Sequence, residues 1–438
     1  MISNEIKNEF EGKKIAIWGF GLEGKSTFNF IRSILQNQLI TIIDDKEIYL
    51  DDINCEIKLT QDTSFDEYDL IMKSPGIVIT DDHFPFDKLS SQSQIFLKYY
   101  KKQTIGITGT KGKSTTSSLL YHVLSRGYSS VFLVGNIGVP CFNIIHDLKE
   151  DSIVVFEISC HQLEYAKDSP HIGVLLNLFE EHLDHYGTFE KYCAAKENVF
   201  LHQESDDIAI INANCIDQIN KAKHPLLASM DETGDIYAIE NKLVNSIGTL
   251  IVDTTRVSLI GHHNYYNMAI VYAIASNYFD ISNQDFLEAI ATFQTLKHRL
   301  ENIGVHNGIR YIDDSISTIC QSTIQAITSL NDVDTVLVGG LDRGIDYDEL
   351  IDFLIEKKVP HVIFMYASGE RMFGLWTDRT EREAIWVKDL KDAVGLAKKI
   401  TSPGKSCLLS PASASYGYFK NFEERGDVFK ELVENNEI

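Results

Sequence analysis

Apolar runs four or five residues long, each leading into a glycine-bearing turn and then a segment of helical spacing, recur along the whole chain. This alternation predicts strands and helices wound into parallel sheets, an α/β fold. In the first stretch a strand over 14–18 meets a glycine turn and a helix follows to about residue 35. Further strands fall at 39–43 and 70–72, before Ser74-Pro75-Gly76. That is a Rossmann-like unit, placed at 1–92. The pattern restarts with a strand over 104–107 and a helix over 114–126, whose Leu119, Leu120, Val123 and Leu124 share one face. Apolar runs at 153–156, 174–178 and 208–211 extend this central domain over 93–297. After His298-Arg299 a third, Rossmann-like α/β pattern has strands near 310–312, 335–338, 362–365 and 407–409 and fills 298–438.

A chain of 438 residues exceeds what one core supports, and 44% apolar residues suffice to fill two or three domains. Charge narrows the partners. With 63 Asp and Glu against 40 Lys and Arg, the net charge of −23 argues against a nucleic-acid surface, while local basic residues can still grip a small anion. Seven scattered cysteines with no C-x-x-C pair fit free thiols in a reducing cytoplasm. The opening MISNEIKNEFEGKK is too polar for a signal peptide or anchor, and no apolar run is long enough to span a bilayer. A cytoplasmic protein with no membrane partner is expected.

The segment from Gly106 to Thr116, GITGTKGKSTT, has the composition of a loop that holds a nucleoside triphosphate. Glycines let backbone N–H groups turn inward, Lys113 adds a point charge, and the hydroxyl of Ser114 or Thr115 can ligate Mg²⁺. The spacing is a variant, since Ile107 stands five residues before Gly112. Strand before and helix after make the central domain one of P-loop ATPase type. Gly19 to Gly24 matches G-x-G-x-x-G, with Asp44 and Asp45 about twenty residues on. A glycine turn at a helix start accepts any diphosphate, so a nucleotide-like ligand follows, but not which one. Glu157 sits at the end of an apolar strand, where a phosphate-transfer site offers a metal ligand. The segment 177–185, NLFEEHLDH, gathers two histidines and three acids, and reads equally as a solvated loop or a metal site. Lys196, judged by spacing alone, is an exposed helix lysine.

Together TGTKGKST, FEIS, NLFEEHLDH, AAKENVF, GHHNYYN, HRLE, DDS and LLSPASAS occur in the order seen in the Mur ligases, and the chain resembles that family over nearly its whole length. KNFEERG (420–426) and the GG-x-D-R-G pattern (339–344) are similar to the members that add glutamate to UDP-N-acetylmuramoyl-L-alanine. The resemblance implies an ATP-dependent amide ligase of peptidoglycan precursor synthesis, acting as a cytoplasmic monomer. It implies that Gly109, Thr110, Lys111, Gly112, Lys113, Ser114 and Thr115 hold the ATP phosphates, with Asn264, Asn267, Arg299 and Asp314 completing the ATP site. Ser114, Thr115, Glu157 and His182 would bind two Mg²⁺ ions, joined by Lys196 carbamylated by CO₂. Lys113, Glu157, His182 and Lys196 would thus be catalytic. The UDP-substrate would meet Gly21, Leu22, Glu23, Asp44, Asp45, Lys46, Ser74, Pro75, Gly76, Asn136, Ser159 and Gln162. Glutamate would meet Thr318, Arg343, Ser415 and Phe422.

One departure bears on the amino acid. D-glutamate-adding members read D-S-K-A-T where this chain has Asp314-Ser315-Ile316-Ser317-Thr318, so an apolar residue replaces a cation. A subgroup with a DDSIST-like segment resembles L-glutamate ligases, and both enantiomers stay open, D-glutamate placed first. In the implied reaction the ATP γ-phosphate passes to the alanyl carboxylate, and the glutamate amine then displaces phosphate. Three rivals remain. A folylpolyglutamate synthase leaves the first domain unexplained, an NAD-dependent dehydrogenase uses only Gly19 to Gly24, and a non-catalytic nucleotide-binding protein needs no Glu157, His182 and Lys196 together.

Overall fold

The computed structural model describes residues 4–81, 83–259, 261–294, 297–330 and 332–435, apart from the side chains of Asn4 and Asp184. Three sheets organise it. Strands Ile15–Trp18, Ile40–Asp44, Cys55–Leu59, Leu70–Lys73 and Leu89–Ser90 form a parallel sheet in which Ile15–Trp18 is central, paired on one side with Ile40–Asp44 and on the other with Leu70–Lys73. The chain therefore reverses its winding at Ile15–Trp18, and a crevice opens beyond the carboxyl ends of such strands. The glycine turn at 19–21 lies there.

In the second sheet Thr104–Thr108 is flanked by Ile153–Glu157 and Ile172–Leu175, all parallel. Val131–Gly135 closes one edge. On the other side follow Ile208–Asn212, Leu226–Ser229, Ile236–Ile239 and the antiparallel pair Lys242–Asn245 and Gly248–Ile251. Fully buried parallel strands read as unbroken apolar runs, so the central ones were legible to within a residue or two. The run at 174–178 is the exception. Its strand is Ile172–Leu175, and the buried Leu176 continues past the end because it packs under the phosphate loop.

Two compact units partition the chain: 1–253 with 264–290 carries the first two sheets, and 254–263 with 291–438 carries the third. Within the first unit one apolar core serves both sheets. Phe10, Phe30 and Phe142 meet at ring separations of 4.7–6.5 Å, tying the helix Leu22–Ile34 to the turn Cys141–Ile144 of the second sheet's layer. In the second unit Val336, Val338, Phe364 and Leu408 face one core, while Leu337, Ile363, Met365 and Leu409 face another. That period of two buries both faces of the sheet under helices. All seven cysteines are free and six are buried. Among the described residues no helix is long and apolar enough to cross a membrane.

Candidate active site

The phosphate loop leaves the fully buried strand Thr104–Thr108 and enters the helix Lys113–Gly127. Gly112 caps that helix at φ 85° without a side-chain hydrogen bond, and a Cβ there would come within 3.1 Å of Asn267 Oδ1. Only glycine accepts that backbone cheaply. The loop is pinned from below. Asn177 Oδ1 accepts from Lys111 N at 2.8 Å, its backbone oxygen accepts from Thr110 N at 3.0 Å, and Thr110 Oγ1 lies 2.9 Å from Tyr192 OH. The loop is thus held by NLFEEHLDH and by the helix Phe189–Glu197.

Two lysines converge on one loop carbonyl. Lys113 Nζ donates to Gly109 O at 2.9 Å and Lys196 Nζ donates to the same oxygen at 2.8 Å. Burial lowers the pKa of Lys113, and burial followed by the charge of Lys113 brings Lys196 down to about 7. Lys196 is therefore not the exposed lysine that its spacing indicates, since it is 1% exposed. Glu157, at the end of the adjoining strand, is fully buried. Its Oε1 accepts from Asn136 Nδ2 at 2.9 Å, and its Oε2 has no hydrogen-bond partner. A buried carboxylate oxygen without a partner is costly unless a cation meets it. Glu181 pairs with Lys111 at 2.8 Å. His182, at φ 58°, stands exposed beside His161, their rings 4.8 Å apart. Ser114 is half-buried and Thr115 buried at the first turn, and Asn264 and Asn267 are buried on the helix His262–Tyr278.

The residues expected at the UDP-substrate lie on the same unit. Gly21 caps the helix Leu22–Ile34, and Leu22 is exposed. A Cβ on Gly24 would fall 2.0 Å from Gly19 O, so that glycine closes the turn. Asp44 accepts from Phe20 N at 2.8 Å and from Lys46 N at 3.1 Å, which braces the turn from the second strand's end. Asp45 and Lys46 are exposed nearby. Ser74 Oγ donates to Gly19 O at 2.8 Å, and exposed or half-exposed Pro75 and Gly76 follow. Ser159 and Gln162 form a reciprocal capping box on the helix Cys160–Leu163, and Gln162 Nε2 donates to Glu23 Oε1 at 2.6 Å. Burial raises the pKa of Glu23, whose Oε2 is unpartnered.

In the second unit Asp314 is fully enclosed, accepts from Ser410 Oγ at 2.8 Å, and has its pKa raised by burial to about 7. Arg299 has a buried Nε without a partner. Arg343 Nη2 approaches Thr318 O at 3.4 Å, and Ser415 is buried. The Phe422 carbonyl, at the start of the helix Phe422–Glu434, accepts from Ser315 Oγ at 2.8 Å.

Residues 107–275 match the Mur ligase middle domain. A UDP-N-acetylmuramoylalanine–D-glutamate ligase of Oenococcus oeni is 29% identical over 447 residues, 98% of each chain. The chain thus carries a Mur ligase middle domain and is similar to a Mur ligase from end to end. Solved Mur ligases share its fold. MurF from Acinetobacter baumannii superposes with a TM-score of 0.61 at 18% identity, over 93% of this chain and 88% of that one. MurF from Thermotoga maritima, solved in complex with ADP, gives 0.61 at 17% identity over 98% and 96%.

Side chains beyond the expected site residues complete the geometry. Tyr192 braces the loop but has no signature that separates it from a core residue, whereas Asn177 opens the segment NLFEEHLDH, which marked it without its bracing role. Lys73, 5% exposed beside Glu164 at 4.0 Å, has its pKa lowered by burial, and a lone strand lysine gave no warning of it. Arg425, fully buried, donates to Ser315 O at 2.7 Å and Ser413 O at 3.0 Å, joining the segments DDS and LLSPASAS. Its place in KNFEERG was the available signal.

Proposed function

We propose that this chain joins the amino group of glutamate to the alanyl carboxylate of UDP-N-acetylmuramoyl-L-alanine, converting ATP to ADP and phosphate in cytoplasmic peptidoglycan precursor synthesis. The observation that carries this reading is the unpartnered oxygen of Glu157 beside a triphosphate-type loop onto which Lys113 and Lys196 converge. The name of the Oenococcus oeni relative, aligned end to end, supports the substrates.

The alanyl carboxylate oxygen attacks the γ-phosphorus and ADP leaves. The amine of glutamate then attacks the acyl carbon, loses a proton, and expels phosphate together with that former carboxylate oxygen. Lys113 and the uncapped amides of the loop hold the phosphate charge. The donors fit magnesium: Glu157 Oε2 and the hydroxyls of Ser114 and Thr115 are the hard oxygens it takes, with His182 and a carbamylated Lys196 serving a second ion. Bound there, magnesium offsets the repulsion between ATP and an anionic substrate. Burial and the neighbouring Lys113 bring the pKa of Lys196 down to about 7, which favours the neutral amine, the form that adds CO₂. Asn264, Asn267, Arg299 and Asp314 complete the ATP site. The nucleotide-sugar occupies the crevice of Gly21, Leu22, Glu23, Asp44, Asp45, Lys46 and Ser74 to Gly76, with Asn136, Ser159 and Gln162 toward its reactive end. Glutamate takes Arg343, whose fork suits a carboxylate, with Thr318, Ser415 and Phe422. The three substrates correspond to domains at 1–92, 93–297 and 298–438 in a monomer.

Ile316, where D-glutamate ligases carry lysine, favours a second reading with L-glutamate. Phosphate release with ATP and UDP-N-acetylmuramoyl-L-alanine, compared for the two enantiomers, tests both. Release that requires the nucleotide-sugar and one glutamate supports the ligase, whereas release with neither enantiomer refutes it.

A further inference from the structure

Cys160 and His161 have no role in the reaction above, yet they adjoin its charged cluster. Cys160 begins the short helix that follows Glu157 and is 3% exposed. His161 lies between two imidazoles, 4.8 Å from His182 and 4.5 Å from His185 by ring centroid, nearly perpendicular to each. Cys160 Sγ is 3.6 Å from His161 Nδ1, and one ligand atom each from Cys160, His161 and His182 all fall within 4.8 Å of one another. In a tetrahedral zinc site, bonds of about 2.3 Å to sulfur and about 2.0 Å to nitrogen leave ligand atoms roughly 3.5 Å apart. The Cys160–His161 pair already has that separation. His182, with a side chain 44% exposed, has room to rotate in. His185 is held away by Glu164, 3.1 Å from its Nε2.

We propose that Cys160, His161 and His182 form a site for a divalent metal of the zinc class, open at its fourth position, whose occupation inhibits the ligase by withdrawing His182. The donor set selects the ion. One thiolate and two imidazoles suit zinc or cobalt, whereas magnesium takes oxygen and keeps its waters. Zinc here competes with the magnesium–ATP complex for a single side chain. The binding site stands on geometry alone, and the inhibition rests on the role proposed for His182.

Cobalt(II) added to the nucleotide-free full chain should give a thiolate-to-cobalt charge-transfer absorption that saturates at one ion per chain and is displaced by zinc. Cys160→Ser should abolish this band and weaken zinc binding at least about tenfold, as loss of a ligand must exceed loss of an outer partner. Cys193→Ser, removing a buried cysteine of the neighbouring helix, should leave the band intact. His161→Ala supplies the same loss should Cys160→Ser misfold. In excess magnesium, the zinc concentration that halves phosphate release should rise at least about tenfold in both ligand variants. No band, or one that survives both substitutions, overturns the site. Zinc that displaces the cobalt band but leaves phosphate release unchanged overturns the inhibition. A chain that binds cobalt but releases no phosphate under any condition contradicts the ligase reading and upholds the metal site.

Discussion

Replacing Lys196 by methionine keeps the length of the stem and removes the charge that the fold resists. Lys196 is 1% exposed, and burial together with Lys113 takes its pKa from 10.5 to about 7. Each tenfold loss of proton affinity corresponds to about 1.4 kcal/mol, so the folded state bears a penalty on the order of 5 kcal/mol wherever Lys196 must be protonated. The unfolded chain keeps that proton up to about pH 10.4 while the folded chain releases it near 7. Stability therefore rises with pH across the window from about 7 to 10, and the full penalty applies below 7. Lys196→Met also loses the hydrogen bond to Gly109 O, worth about 1–2 kcal/mol, although that carbonyl keeps Lys113 at 2.9 Å. The variant should gain about 3 kcal/mol at pH 6.5, or roughly 6–12 °C in melting temperature for a domain of this size, and the gap should close by pH 10. Calorimetry of the nucleotide-free protein in CO₂-free buffer measures it. A gap that does not change with pH, or a variant less stable than the parent at pH 6.5, would refute the reasoning.

Glu157→Gln preserves shape and the Asn136 contact but replaces an unpartnered oxygen, and it should cut phosphate release by about a hundredfold or more while leaving the melting temperature equal or higher. Steady-state kinetics beside a melting curve decide this, and activity within a few-fold of the parent would count against a ligand role. Asp314 titrates near 7 when folded and near 4 when unfolded, so its buried charge destabilises the protein above pH 7 and not below pH 4. Asp314→Asn should therefore melt above the parent at pH 8.5, with the difference shrinking toward pH 5.

The sheets were legible because central parallel strands, buried on both faces, leave unbroken apolar runs such as 153–156 and 208–211. The extension from Leu226–Ser229 to Gly248–Ile251 was not, since these strands are only four residues long and lie toward an edge, where partly exposed positions break up the apolar run. Glu157 could be singled out by its place at a strand end. Lys196 could not, because the helix Phe189–Glu197 buries Tyr192, Cys193, Ala195, Lys196 and Glu197 around more than one face, and no single stripe marks which polar residues turn inward. Family resemblance alone pointed to it. The capping box of Ser159 and Gln162 was readable as S-x-x-Q, but its further reach to Glu23 depends on how two sheets share one core.

The central claim is phosphoryl transfer to the carboxylate of the nucleotide-sugar, and oxygen labelling follows that atom directly. UDP-N-acetylmuramoyl-L-alanine carrying ¹⁸O in its alanyl carboxylate, turned over with ATP and glutamate, should yield inorganic phosphate with one ¹⁸O per amide bond formed. Amide formed with unlabelled phosphate, the displaced ¹⁸O appearing in water instead, would contradict the account.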